Sequence, residues 1–161
     1  MPVGKKIILG IDPGIADTGY GLINCEKGQL KMLAYGSIKT PKATDLPSRL
    51  KKLALELDKL IKKYQPDCAA VEQLFFCNNV KTALIVGQAR GVVLLTLINN
   101  NLPIAEFTPL QVKQAVTGYG GADKKQVQQM VKIILDLKEI PRPDDAADAL
   151  AIAVCAINNR Y

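Results

Sequence analysis

Four acidic residues in this chain stand where carboxylates can do chemistry: Asp12, Glu72, Asp145 and Asp148. Asp12 closes the apolar segment Lys6–Asp12 (KIILGID), and Glu72 closes Cys68–Glu72 (CAAVE). Short apolar runs of this kind read as buried strands. If the two strands are parallel neighbours, both carboxylates emerge at one sheet edge, where mixed α/β sheets place their sites. Asp145 and Asp148 lie three residues apart in the first turn of a helix read from about Asp144. They share a face at the helix end whose dipole favours negative charge. Acids grouped in this way repel and raise one another's pKa unless a cation neutralises them. An all-oxygen donor set is hard and suits Mg²⁺, with Mn²⁺ as a substitute. One or two such ions can activate water and stabilise a leaving oxygen in phosphodiester cleavage.

Each acid also has a plainer reading. Asp12-Pro13-Gly14 can form an Asx-type turn, and the acids near residue 145 can be a solvated helix start, with Asp144 as the N-cap. Glu72 is harder to explain structurally, because glutamate is rarely buried without a partner. Their joint placement is what points to a cation site. The rest of the composition narrows the chemistry further. The chain has no histidine, which excludes a Ser-His-Asp triad, a Cys-His pair and histidine metal ligands. Acid–base work must then come from carboxylates, lysines, tyrosines or water on a metal. Cys25, Cys68, Cys77 and Cys155 form no C-x-x-C pair and read as reduced, mostly buried thiols. A net charge of +6 and a pI near 9.1 favour a polyanionic partner such as nucleic acid.

Around these residues the pattern predicts a β-β-β-α-β-α-β order followed by further helices. Thr18–Asn24 and Leu30–Thr40 read as a second and third strand joined by a turn near Lys27-Gly28, giving an antiparallel meander. Leu46, Leu50, Leu53, Leu57, Leu60, Ile61 and Tyr64 share one face of a helix over Leu46–Tyr64. A second helix spans Asn79–Asn99, with Gly87, Ala89 and Gly91 marking a close contact, either with its own sheet or with a second copy. Ile104–Phe107 is the last strand, and Thr108 caps a helix whose first residue is Pro109. Asp123 caps another helix, to about Leu137. The fold class expected is α/β: a five-stranded mixed sheet flanked by helices, one domain over 1–161. The longest apolar runs are about half a bilayer span and no secretory signal is apparent, so a cytoplasmic protein without a membrane partner is expected.

The segments IILGIDPGIADTGYGLI (7–23), DLPSRL (45–50), VEQLFFCNN (71–79), GQARGV (87–92), QVKQAVTGYGGADKKQVQ (111–128) and DAADALAIA (145–153) together resemble the RuvC family of bacterial Holliday-junction resolvases. They run in family order along nearly the whole chain. The resemblance implies a ribonuclease-H-like fold and a homodimer that makes paired, metal-dependent nicks across four-way DNA junctions, in recombination and repair. It implies 5′-phosphate products, and possible branch-migration partners RuvA and RuvB. By motif, the family's catalytic and metal-binding acids fall on Asp12, Glu72, Asp145 and Asp148. Its lysines of DNA contact or catalysis fall on Lys113 and Lys124, and its junction-facing aromatic on Phe75, with Phe76 the competing choice. Asp144 precedes the matched block and receives no catalytic role. The chain ends at Tyr161 without the long basic tail of some relatives, which leaves a tail contribution to DNA affinity open.

Two other functions fit parts of the pattern. A sugar-kinase or actin-like ATPase also begins with a Gly-Ile-Asp strand and a hairpin, but needs two such domains. A non-catalytic junction-binding module has no use for four acids, which hinder DNA binding unless they hold metal.

Overall fold

The computed structural model describes residues 4–73 and 78–160. Three strands, β1 (Lys6–Asp12), β2 (Asp17–Glu26) and β3 (Gln29–Lys39), form the expected meander. Its tight turn places Lys27 and Gly28 at φ 52° and 78°, the left-handed pair that a two-residue hairpin requires. Helix α1 (Leu46–Tyr64) follows, capped by the Asp45 side chain, which accepts from the Ser48 N–H. Then come β4 (Cys68–Glu72), α2 (Val80–Asn99) and β5 (Ile104–Phe107). The chain closes with α3 (Pro109–Thr117), α4 (Lys124–Ile134) and α5 (Asp144–Asn158). Thr108 and Asp123 cap α3 and α4 as expected, each in a reciprocal capping box with the glutamine three residues on.

The sheet order is β3-β2-β1-β4-β5. β1 pairs antiparallel with β2 and parallel with β4, and β4 pairs parallel with β5. Alternation along the strands sends side chains into two apolar layers. Leu9, Ile11, Ala69 and Val71 face α1 and α2, meeting Leu53, Leu57, Ile61, Val93 and Leu97. Ile8, Cys68 and Ala70 face the other way, into a layer built with α3, α4 and the alanine-rich α5. Asp12 and Glu72 continue the even-numbered set, so they share the α5 side. Cys25, Cys68 and Cys155 are buried free thiols.

Three details depart from the expectations. The N-cap of α5 is Pro143, not Asp144, and it makes no side-chain cap bond; the Asp144 carboxylate is turned instead toward Lys124 and Arg142. Only Asp144 and Asp145 occupy the first turn of α5, with Asp148 one turn further on. Finally, α2, with a mean hydropathy of 1.5 over its most apolar stretch, is long and apolar enough to cross a membrane by length and composition. One side of it, through Ala89, Val93 and Leu97, packs into the protein's own core, while most of the helix is not buried.

Candidate active site

Glycines make the site possible. Gly10 on β1 stands opposite Gly21 on β2, and Asp12 stands opposite Gly19. A methyl group at Gly10 would lie 2.0 Å from the Ala149 carbonyl oxygen, and one at Gly19 would lie 2.0 Å from that of Asp145. The missing side chains let α5 lie directly on the sheet, with its N-terminal turns over the end of β1. The carboxylates of Asp12, Asp145 and Asp148 consequently meet, one oxygen of each lying within 4.8 Å of the others. Glu72 flanks this trio. Together with Asp148, Lys113 and Lys124 it lines an open cleft of about 220 Å³, walled by Pro109, Val112, Val127 and Ala151. That is below the ~300–1,000 Å³ of small-molecule pockets, and suits an extended chain crossing the sheet edge better than an enclosed ligand.

The turn after Asp12 does not use the Asp12 carboxylate. Thr18, buried on β2, donates its hydroxyl to the Gly14 carbonyl at 2.6 Å and accepts from the Gly14 N–H at 3.4 Å. Thr40 fixes the same loop through the Ile15 carbonyl, and Arg49 donates to the Thr40 hydroxyl at 3.0 Å. The Asx-type turn is thus replaced by a threonine brace that leaves the Asp12 carboxylate to meet those of Asp145 and Asp148.

Crowded negative charge dominates the electrostatics. Burial first, then Glu72, Asp148 and Asp145, push the Asp12 carboxyl up to about 8, against a small opposing pull from Lys124. Burial and Asp148 push Glu72 up to about 7, with Lys113 opposing. Burial raises Asp148 and Asp145 as well, helped at Asp145 by nearby Asp17. Lys124 stands 3.5 Å from both Asp148 and Asp144. Its partial burial works against its charge, but Asp148 and Asp144 hold its ammonium above the ordinary lysine value. Asp144 pairs with Arg142 at 2.7 Å as well, and accepts from Gln128, so it orients Lys124 rather than joining the trio. One lysine does not balance three facing acids. The donor set is hard oxygen throughout and fits a divalent cation of the magnesium or manganese type.

The six sequence-derived residues that the structure describes therefore gather at one edge. Phe75, with its rival Phe76, lies outside the described residues. Three kinds of residue escaped the sequence reading: the glycine seat, the threonine brace and Arg90, which reaches the Glu72 backbone from α2. The alternation Gly19-Tyr20-Gly21 was a legible signal for the seat, since it empties one face of a strand.

Acids at the ends of β1 and β4 and on the overlying helix, on a sheet with a leading antiparallel meander, define a nuclease of ribonuclease-H-like fold. The model of the family crossover junction endodeoxyribonuclease RuvC matches residues 8–156, and the chain belongs to that family. It is 59% identical to the RuvC endonuclease of Alkaliphilus oremlandii over 149 residues, 92% of this chain and 91% of that one. Thermus thermophilus RuvC superposes with a TM-score of 0.87 at 37% identity, covering 94% of this chain and 93% of the other. The same protein in complex with a Holliday junction substrate gives 0.90 at 35%, covering 96% and 94%. The match over most of the chain sets the ATPase reading aside.

Proposed function

We propose that this protein is a magnesium-dependent Holliday-junction resolvase that acts as a homodimer in the cytoplasm, nicking two strands of a four-way junction to leave 5′-phosphate ends. The observation that carries this reading is the convergence of Asp12, Asp145 and Asp148 within 4.8 Å, beside Glu72 and two lysines on an open cleft. A purely DNA-binding module would gain nothing from such an acidic floor.

Asp12, Asp145 and Asp148 would hold the ion, with Glu72 completing the set, and Mn²⁺ is expected to substitute. When bound, the metal supplies positive charge that acidifies an attacking water and stabilises the departing oxygen; one or two ions can do this. The protein's own groups do the rest. Lys113 and Lys124 on the cleft wall draw the scissile phosphate to the acids. Lys124, held by Asp144 and Asp148, keeps a fixed ammonium where charge develops on the phosphate oxygens. Phe75 follows Glu72 closely enough in sequence to be a base-stacking candidate at the junction centre.

Paired nicks need two sites, and α2 offers the means. Val80, Leu84, Leu95 and Ile98 are 71%, 63%, 60% and 59% exposed, and exposed Gly91 lies among them with open space where a side chain would stand. Their spacing sets them on one face, opposite the buried Ala89, Val93 and Leu97. The small-residue stretch is thereby divided, with Ala89 on its own core and Gly91 outward. A continuous apolar face of this kind marks an association surface, and the bare Gly91 lets two helices approach closely. RuvA and RuvB would be the branch-migration partners.

A plasmid carrying an extruded cruciform tests the reading. The parent with Mg²⁺ should linearise it by paired nicks whose ends DNA ligase reseals, because in-line hydrolysis leaves 5′-phosphate and 3′-hydroxyl. Leu95→Glu should sediment as a monomer and yield relaxed circles instead of linear DNA. Unsealable nicks, or linear product from a monomeric variant, would count against the mechanism.

A further inference from the structure

Arg90 lies on α2, on the opposite side of the sheet from the acidic cleft. Its side chain is only 18% exposed, so the guanidinium needs partners, and among the described residues it has two. One terminal nitrogen (Nη2) pairs with the Glu106 carboxylate on β5. The Nε–H donates to the main-chain carbonyl of Glu72 at 3.2 Å. That carbonyl belongs to the residue whose carboxylate faces the cleft. It also lies just past the last paired residues of the β1–β4 ladder, Ile11 and Val71. On its other side β4 is held by β5, where Glu72 stands opposite Phe107 and the Gln73 N–H donates to the Phe107 carbonyl at 2.8 Å.

The Glu72 peptide is therefore the point where β4 loses its β1 partner. A planar fork anchored at one end by Glu106 aims its Nε at one place, whereas a lysine ammonium, a point donor on a flexible stem, cannot hold both partners in fixed directions. We infer that Arg90 is a positioning residue for catalysis: gripping the Glu72 carbonyl from the far face of the sheet, it sets the direction in which the Glu72 carboxylate enters the cleft and ties that direction to α2. The inference rests on the proposal that Glu72 is an active-site acid.

It is tested on the full-length protein with single-turnover cleavage of a four-way junction at saturating Mg²⁺, alongside junction affinity and thermal unfolding. Arg90→Lys keeps the charge opposite Glu106 but gives up the fork. It should lower the cleavage rate about tenfold or more, a positioning loss, with junction affinity unchanged within about twofold. Val93→Ala, a cavity in the same helix, supplies the stability control: it should unfold at a lower temperature than Arg90→Lys yet cleave at a rate within about twofold of the parent. Glu106→Gln, which weakens only the anchor, should fall between the parent and Arg90→Lys. A parent-like rate for Arg90→Lys, or an equal rate loss in Val93→Ala, would overturn the inference. Glu72→Gln run in parallel separates the two levels. If it cleaves normally, the role of Glu72 fails; if it is inactive while Arg90→Lys is normal, only the positioning role fails.

Discussion

Replacing Asp12 with asparagine is expected to lower junction cleavage by about 10³-fold while leaving junction binding intact, because it removes the central carboxylate of the trio that would hold the ion and stabilise developing charge. The same change should make the metal-free protein more stable at neutral and alkaline pH. In the folded state the Asp12 carboxyl is raised from 3.8 to about 8, so folding favours its protonated form. Its contribution to stability is fully present below about pH 4 and is lost as pH rises through about 8. Asparagine escapes that loss. Without metal at pH 8, Asp12→Asn should therefore be more stable than the parent by on the order of a few kcal/mol. Thermal unfolding in EDTA from pH 4 to pH 8 measures this, with a gap that opens as pH rises. Adding Mg²⁺ should narrow it, since a ligand that binds the folded parent stabilises it by mass action. A variant both less active and more stable is the signature of a site built against its own stability. Loss of activity with equal loss of stability would point to a structural role for Asp12.

Gly10→Ala carries the second large effect. Its methyl group would lie 2.0 Å from the Ala149 carbonyl oxygen and 2.8 Å from the Ala153 nitrogen. Those are backbone atoms of a fully packed helix, so no side-chain rotation relieves the clash. Either α5 lifts or the sheet bends, at a cost of about 1–3 kcal/mol or more. The activity should suffer further, because Asp145 and Asp148 ride on α5 while Asp12 stays on β1. A shift of about 1 Å between reacting groups is worth around 10²-fold in rate. Urea unfolding and single-turnover cleavage of the same preparation check both parts. A variant that is destabilised but cleaves at the parental rate would show that the seat of α5 does not set the metal-site geometry.

Much of this was legible in the sequence because local signals agreed. The bounds of β1, α1, β4 and β5 follow from apolar runs that end at Asp12, Tyr64, Glu72 and Phe107, and the caps Thr108 and Asp123 sit where their side chains predict. The pairing of Asp12 with Glu72 depended on one condition, parallel neighbouring strands, which β1 and β4 satisfy. The residues that went unread depend on distance in sequence. Gly19 matters because of Asp145, 126 positions away, and nothing local says that this glycine faces a helix. Arg90 meets the Glu72 backbone, and a carbonyl leaves no trace in composition. Asp144 was misread as a cap since its type and place suit one; Lys124, Arg142 and Gln128 compete for its carboxylate and win.

The central claim, that these carboxylates form a cation-dependent site for cutting branched DNA, is tested most directly on three labelled substrates: a four-way junction, a Y-shaped duplex and a linear duplex. Each is incubated with the parent protein in Mg²⁺ and in EDTA. Cleavage should be confined to the four-way junction in Mg²⁺, and should vanish in EDTA. Cutting that persists in EDTA, or that proceeds as fast on linear duplex as on the junction, would contradict it.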